Sequence, residues 1–130
     1  MAEKTAVQKM MIRAGDTVAF VNAPEGYPGA LGALPDPLTI LYEPSLSADV
    51  TQVFVNSRSD LNKQLAYLKP FVSPSAALWV AFRKGTSKPK PDFNRDDVLA
   101  EARSAGFQNL TLISLDIDWS AFKVKVAEAP

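Results

Sequence analysis

The amino-acid sequence predicts a three-layer α/β fold: a mostly parallel sheet with helices on its faces, closed by a C-terminal antiparallel hairpin. Three observations predict it. Short runs rich in β-branched and aromatic residues (17–21, 38–42, 49–55, 77–82 and 110–115) alternate with helix-forming segments, and that alternation gives parallel strands joined by right-handed crossovers. The apolar run Leu78-Trp-Val-Ala-Phe82 stops at a basic, glycine-containing loop, after which a well-signalled helix returns the chain. Finally, Phe122-Lys-Val-Lys-Val126 alternates strictly, the pattern of a half-exposed strand at a sheet edge, paired antiparallel with the strand before it.

In chain order, residues 4–14 carry helix formers with Val7, Met10 and Met11 at i, i+3 and i+4, a short amphipathic helix ended by Gly15. Residues 17–21 lack clean alternation, which marks a strand buried on both faces. Asn22-Ala-Pro-Glu-Gly-Tyr-Pro-Gly29 is a turn-rich loop, because its prolines and glycines forbid immediate helix. Residues 30–34 have room for one or two helical turns before Pro35-Asp-Pro37. Strands over 38–42 and 49–55 end at Glu43-Pro44 and Asn56-Ser57. In the next helix Ser57 or Ser59 is the cap and Asp60 complements the helix dipole. Leu61, Leu65 and Leu68 form its core stripe and Pro70 stops it. After the fourth strand, Asn94 and Asp97 make a capping box, and Phe93 and Val98 a hydrophobic staple. Val98, Leu99, Ala102 and Ala105 face inward, up to a left-handed stop at Gly106. Asp116-Ile-Asp-Trp-Ser120 joins the last two strands as a hairpin-like turn.

At 130 residues the chain reads as one domain, with 47% apolar and 22% charged residues, ordinary globular values. Fourteen cations balance fourteen anions, so the average charge steers toward neither nucleic acid nor an acidic membrane. The distribution is uneven: Arg83, Lys84, Lys88, Lys90 and Arg95 stand against Asp92 alone, a local +4. There is no cysteine and no histidine. Disulfides, thiol nucleophiles, Cys/His zinc sites and histidine general bases are therefore excluded. The start, Met-Ala-Glu-Lys-Thr, lacks the pattern of a signal peptide, and no apolar run approaches the roughly 20 residues that span a bilayer. A cytoplasmic protein is expected.

Ala14-Gly15-Asp16-Thr17-Val18 resembles the lead-in to the first strand of the S-adenosylmethionine (SAM) methyltransferases. Leu68-Lys69-Pro70 followed by Leu78-Trp79-Val80 resembles their late helix and strand, and the C-terminal hairpin matches their ending. Across nearly the whole chain, Asn22-Ala-Pro-Glu-Gly-Tyr27, Leu78-Trp-Val80 with Lys84-Gly85, and Asp118-Trp-Ser-Ala121 are similar to small bacterial proteins of the domain family of unknown function numbered 3052. These resemblances imply a shortened methyltransferase-like, Rossmann-like fold. The methyltransferase resemblance implies SAM as a cofactor, with Glu43 or Glu25 to hold it, whereas the family of unknown function implies a fold and no activity. Methyltransferases carry an acidic residue and Gly-x-Gly in the first loop, where glycines let the backbone approach the cofactor. Asn22-Ala-Pro-Glu-Gly stands in that place, and Pro24 supplies no N–H.

In an open α/β sheet, ligands sit at the carboxyl ends of the strands. That edge collects Asn22, Glu25, Gly26 and Tyr27, then Glu43, then Asn56 and Ser57, then Arg83, Lys84, Gly85, Thr86, Ser87 and Lys88. These are either turn formers and caps that any such sheet needs or the parts of a ligand site. The basic loop has backbone N–H groups, hydroxyls and cations suited to an anion, although it is no P-loop. Lys88-Pro-Lys-Pro91 equally suits a solvated, extended segment. Asp116 and Asp118, two apart, read as turn chemistry rather than a metal site, Trp119 as core, and Tyr27 as an exposed aromatic and pocket wall. No metal site and no catalytic residue is assigned. Three functions fit. The first is a Rossmann-like domain without catalysis that binds a small anionic ligand or a protein partner at the strand-end edge. The second is a minimal SAM-dependent methyltransferase. The third is a module that dimerises through an edge strand at 122–126, against which Lys123 and Lys125 argue.

Overall fold

The computed structural model describes residues 5–27, 29–85, 92–116 and 118–127. Its sheet contains β1 (Thr17–Val21), β2 (Thr39–Leu41), β3 (Val50–Val55), β4 (Ala77–Arg83), β5 (Phe107–Ser114) and β6 (Trp119–Val126). Their order is β2-β1-β3-β4-β6-β5. The first four strands are parallel, and β6 runs antiparallel to both β4 and β5. This is the expected mixed α/β sheet. Asp49 anchors its lower end, its carboxylate accepting from the Thr17 amide at 2.8 Å while its own amide donates to the Thr17 carbonyl at 2.8 Å.

Two helices cover one face. In α2 (Arg58–Leu68) the Ser57 hydroxyl accepts from the Asp60 amide, and Leu61, Leu65 and Leu68 are buried. In α3 (Arg95–Ser104) the Asn94–Asp97 capping box is complete, which satisfies two of the four orphan donors that every helix start exposes. Both pack on Val53, Val55, Val80, Phe82 and Val124. The end of α3 is closed from outside itself: Gly106 takes φ +92°, and Lys69 Nζ donates to the Ala105 and Gly106 carbonyls at 3.3 Å each. A cation at that terminus suits the helix dipole.

The opposite face has a thinner cover. It consists of α1 (Ala6–Lys9) and a 3-10 turn at Gly29–Leu31, set on Val18, Phe20, Phe54, Trp79 and Ala121. The helix predicted over 4–14 is only four residues long because the chain must also bury Ile12 beside Val7 and Met10. It leaves the helix to do so, with Met11 in the left-handed region at φ +60°. Neither of the links from β1 to β2 and from β2 to β3 contains an α-helix among the described residues. Beneath this cover lie Gln52 and Trp79, cross-strand neighbours on β3 and β4. They are 0% and 1% exposed, and Gln52 Nε2, Gln52 Oε1 and Trp79 Nε1 have no hydrogen-bond partner.

The expected edge of the sheet is also corrected. β6 is not an edge strand but lies between β4 and β5, and β5 is the edge. The alternation of Phe122 and Val124 with Lys123 and Lys125 records a difference between the two faces of the sheet. Phe122 and Val124 lie under α3, whereas Lys123 Nζ sits over the Trp79 ring at 5.9 Å on the thinner side. A module dimerising through 122–126 is therefore ruled out by position. Among the described residues no helix is long and apolar enough to cross a membrane.

Candidate functional site

The strand order reverses between β1 and β3, because the chain passes from β1 outward to β2 and then back across β1. Crevices at the carboxyl ends of strands at such a reversal are where open α/β sheets bind ligands. Asn22 follows β1 there with φ +57°, a conformation that asparagine tolerates better than other side chains. Its Nδ2 donates to the Phe54 carbonyl on β3 at 2.7 Å and to Asp60 Oδ2 at 3.1 Å. The same carboxylate oxygen accepts from the Asn56 amide at 2.9 Å, and Ser57 caps α2. The structure thus brings Asn22, Asn56 and Ser57 together around Asp60. Sequence reading assigned Asp60 only to the helix dipole; its spacing of four from Asn56 was the available signal.

Glu25 and Gly26 are exposed, with Gly26 at φ +93°. Tyr27 is half-buried rather than exposed, a correction to the expectation. Its ring meets Phe54 edge-on at 4.6 Å, Phe54 meets Trp119 at 5.2 Å, and the Arg83 guanidinium lies 4.7 Å from the Trp119 ring. Burial, and secondarily the nearby Asp116 carboxylate, push the Tyr27 hydroxyl up to about 12. Tyr27 is therefore a proton donor in hydrogen bonds at neutral pH and not a base. Asp116 serves the turn as read from sequence: its Oδ1 accepts from the Asp118 and Trp119 amides at 2.8 Å each. Among the described residues no cluster of three metal-ligating side chains exists.

Two cavities flank the crevice. At the end of β2, Glu43 and Tyr42 border an open cavity of about 500 Å³ with Ile40, Leu41, Pro44 and Ser45. Glu43 is exposed, and Tyr42 is 62% exposed. At the end of β4, Arg83, Lys84 and Gly85 border a cavity of about 310 Å³ together with Phe82, Phe93, Asn94, Arg95, Leu112 and Ser120. Lys84 Nζ reaches Ser114 Oγ at 2.6 Å. The first turn of α3 opens here beside Arg83, Lys84 and Arg95, its amides capped by Asn94 and its dipole met by Asp96 and Asp97. Sequence reading missed Phe93, Arg95, Leu112 and Ser120, which only the returning helix and the hairpin bring to this place. Thr86, Ser87 and Lys88 lie outside the described residues.

A six-stranded sheet in this order, with its last pair antiparallel, has close counterparts among solved structures. A SAM-dependent methyltransferase from Aquifex aeolicus aligns with 93% of this chain and 87% of its own at TM-score 0.67 and 15% identity. The fold is that of the SAM-dependent methyltransferases. A second such enzyme, from Clostridium acetobutylicum, aligns over 94% of this chain and 88% of its own at TM-score 0.62 and 6% identity. Mitomycin 7-O-methyltransferase aligns over 94% of this chain at TM-score 0.66 and 13% identity, the match spanning 53% of that enzyme. At these identities the likeness concerns the fold alone. No protein-family model and no curated protein matches the chain, so the resemblance to domain family 3052 is not confirmed.

Proposed function

We propose that the chain is a minimal SAM-dependent methyltransferase that holds the nucleoside half of its cofactor at the end of β2. The observation that carries the reading is the exposed Glu43 carboxylate beside the exposed Tyr42 ring on an open cavity, next to the point where the strand order reverses. A carboxylate there accepts hydrogen bonds from a ribose diol, and an aromatic face or the Ile40 side chain packs on a base. Methyltransferases among the structural neighbours support this reading over a domain without catalysis.

The residues at the end of β2 fit a nucleoside. Those at the end of β1 depart from the methyltransferase pattern: Pro24 has no N–H, and the Asn22 amide is already bonded to Phe54 and Asp60. SAM, when bound, supplies an electrophilic methyl group. The role assigned to this chain's residues is to bind and orient it, with Tyr27 offering a hydrogen bond and no base.

A second reading, a small anionic ligand bound without catalysis, rests on the cavity at the end of β4, where Arg83, Lys84 and Arg95 meet apolar walls. One calorimetric and thermal-shift series separates the two. SAM and its demethylated product SAH are titrated beside a panel of phosphorylated metabolites into wild type, Glu43→Ala and Lys84→Ala. The first reading expects saturable heat with SAM or SAH that weakens about tenfold in Glu43→Ala, or about 1.4 kcal/mol, with Lys84→Ala unchanged. Heat from a phosphorylated compound alone, lost in Lys84→Ala, supports the second. No heat and no shift with SAM or SAH would sink the first.

A further inference from the structure

A cavity of about 250 Å³ opens at the amino ends of β3 and β4, the far end of the sheet from the crevice. Val50, Ala77 and the buried Met10 give it an apolar wall, while Arg13, Lys123, Asp16 and Asp49 bring two cations and two carboxylates to its border. Those charges are not spent on one another. Among the described residues neither cation forms an ion pair with either carboxylate. Each carboxylate is held through one oxygen only: Asp16 Oδ2 accepts from the Arg13 amide at 2.9 Å, and Asp49 Oδ2 from the Thr17 amide at 2.8 Å. The second oxygen of each is left to accept. Lys123 Nζ rests over the Trp79 ring at 5.9 Å, and Arg13 is exposed.

A second observation comes from the strands themselves. Along the same face, the residues that follow Val50 and Ala77 are Gln52 and Trp79, paired across β3 and β4. Their three polar side-chain atoms are buried and without a partner. Such atoms call for an explanation, and a guest with hydrogen-bonding groups of its own supplies one. We propose that this cavity binds a free α-amino acid with an uncharged polar side chain. Arg13 and Lys123 take its carboxylate, and the open oxygens of Asp16 and Asp49 take its ammonium. A zwitterion answers both signs of charge at one border, which neither a simple anion nor a simple cation does. The apolar wall accommodates the first carbons of the side chain, and its polar end is directed toward Gln52 and Trp79. Met10, in the same apolar cluster as Trp79, is unbranched and adaptable enough to make way. A cavity of roughly 150 Å³ already holds a benzene-sized guest, so this one is large enough for a small or medium amino acid. The inference is independent of what the strand-end edge binds.

The test is calorimetric titration of the full chain with serine, threonine, asparagine, glutamine and leucine, each to about 10 mM. The amine and the acid that lack glutamine's carboxyl or amino group are titrated beside them. Saturable heat is expected from at least one of the polar amino acids, and none from the two truncated compounds. Arg13→Gln and Asp16→Asn should each weaken binding about tenfold or more at wild-type melting temperature. Arg13 is exposed, so its variant keeps the fold and carries the test even where Asp16→Asn does not. Gln52→Met should fold and lose the preference for a polar side chain over leucine. Silence with all four polar amino acids, binding that survives loss of either charged end, leucine bound as tightly as the best polar one, or an affinity unchanged in Arg13→Gln would each overturn the proposal.

Discussion

Replacing Gln52 by Met should make the protein more stable. Gln52 is fully buried on β3, beneath the thin cover of α1 and the 3-10 turn, and both atoms of its amide lack a hydrogen-bond partner. An unsatisfied buried polar group costs about 1–3 kcal/mol. Two such groups on one amide set a ceiling of about 6 kcal/mol, and relaxation of the site brings the realistic gain to about 2 kcal/mol. Met is unbranched and nearly isosteric with Gln, so it follows the same channel without leaving a cavity. With an unfolding entropy near 2.1 cal/mol/K per residue, about 2 kcal/mol in a chain of this length raises the melting temperature by about 7 °C. Differential scanning calorimetry of wild type and Gln52→Met measures it directly, and urea denaturation supplies the free energy with its slope as a control. A melting temperature that falls by several degrees would show that the amide is hydrogen-bonded to ordered water, and the account of this face given above would be wrong.

Two further outcomes are expected. Asn94→Ala removes one half of the capping box on α3 and should cost about 1–2 kcal/mol in urea denaturation; an unchanged midpoint would mean that packing of Val98 and Ala102 alone holds the helix start. Tyr27 should make stability fall in alkali. Its folded-state value is raised to about 12 from 10.0, so between pH 10 and 12 the unfolded chain holds fewer protons than the folded one, and stability declines as pH rises through that window. Because the group is only half-buried, the effect is screened to about 1 kcal/mol. Thermal melts of wild type and Tyr27→Phe at pH 9 and pH 11 should diverge only at the higher pH, and parallel loss in both would remove Tyr27 from the account.

Local signals carried most of the fold. The Asn94–Asp97 box, the Ser57 cap, the leucine stripe of α2 and the left-handed Gly106 are governed by neighbours within four residues, and all stand as read. The edge of the sheet was different. Strict alternation in β6 reports that one face is better covered than the other, and it is silent about which strand lies beside it. Residues 4–14 have the periodicity of a longer helix, but burial of Ile12 decides where the helix stops. At the strand ends the composition showed which residues arrive, not which of them bind one another. The Asn22–Asp60 contact spans 38 positions, and Phe93, Arg95 and Leu112 join Arg83 only after α3 and the hairpin have folded back. Tyr27 looked exposed because proline and glycine flank it; Phe54, from another strand, gives its ring a place to lie.

The Asn22 amide also has a thermodynamic meaning for any guest of the crevice between β1 and β3. One of its bonds is to a backbone carbonyl and the other to a carboxylate, worth together about 3 kcal/mol. A molecule that needs the crevice open must first break both, and its apparent affinity is lowered by the rarity of that open state. At about 1.4 kcal/mol per decade the handicap is roughly a hundredfold. A molecule that displaces Asn22 would therefore have to repair both lost bonds, with an acceptor for the amide and a donor for Asp60, to recover what it breaks.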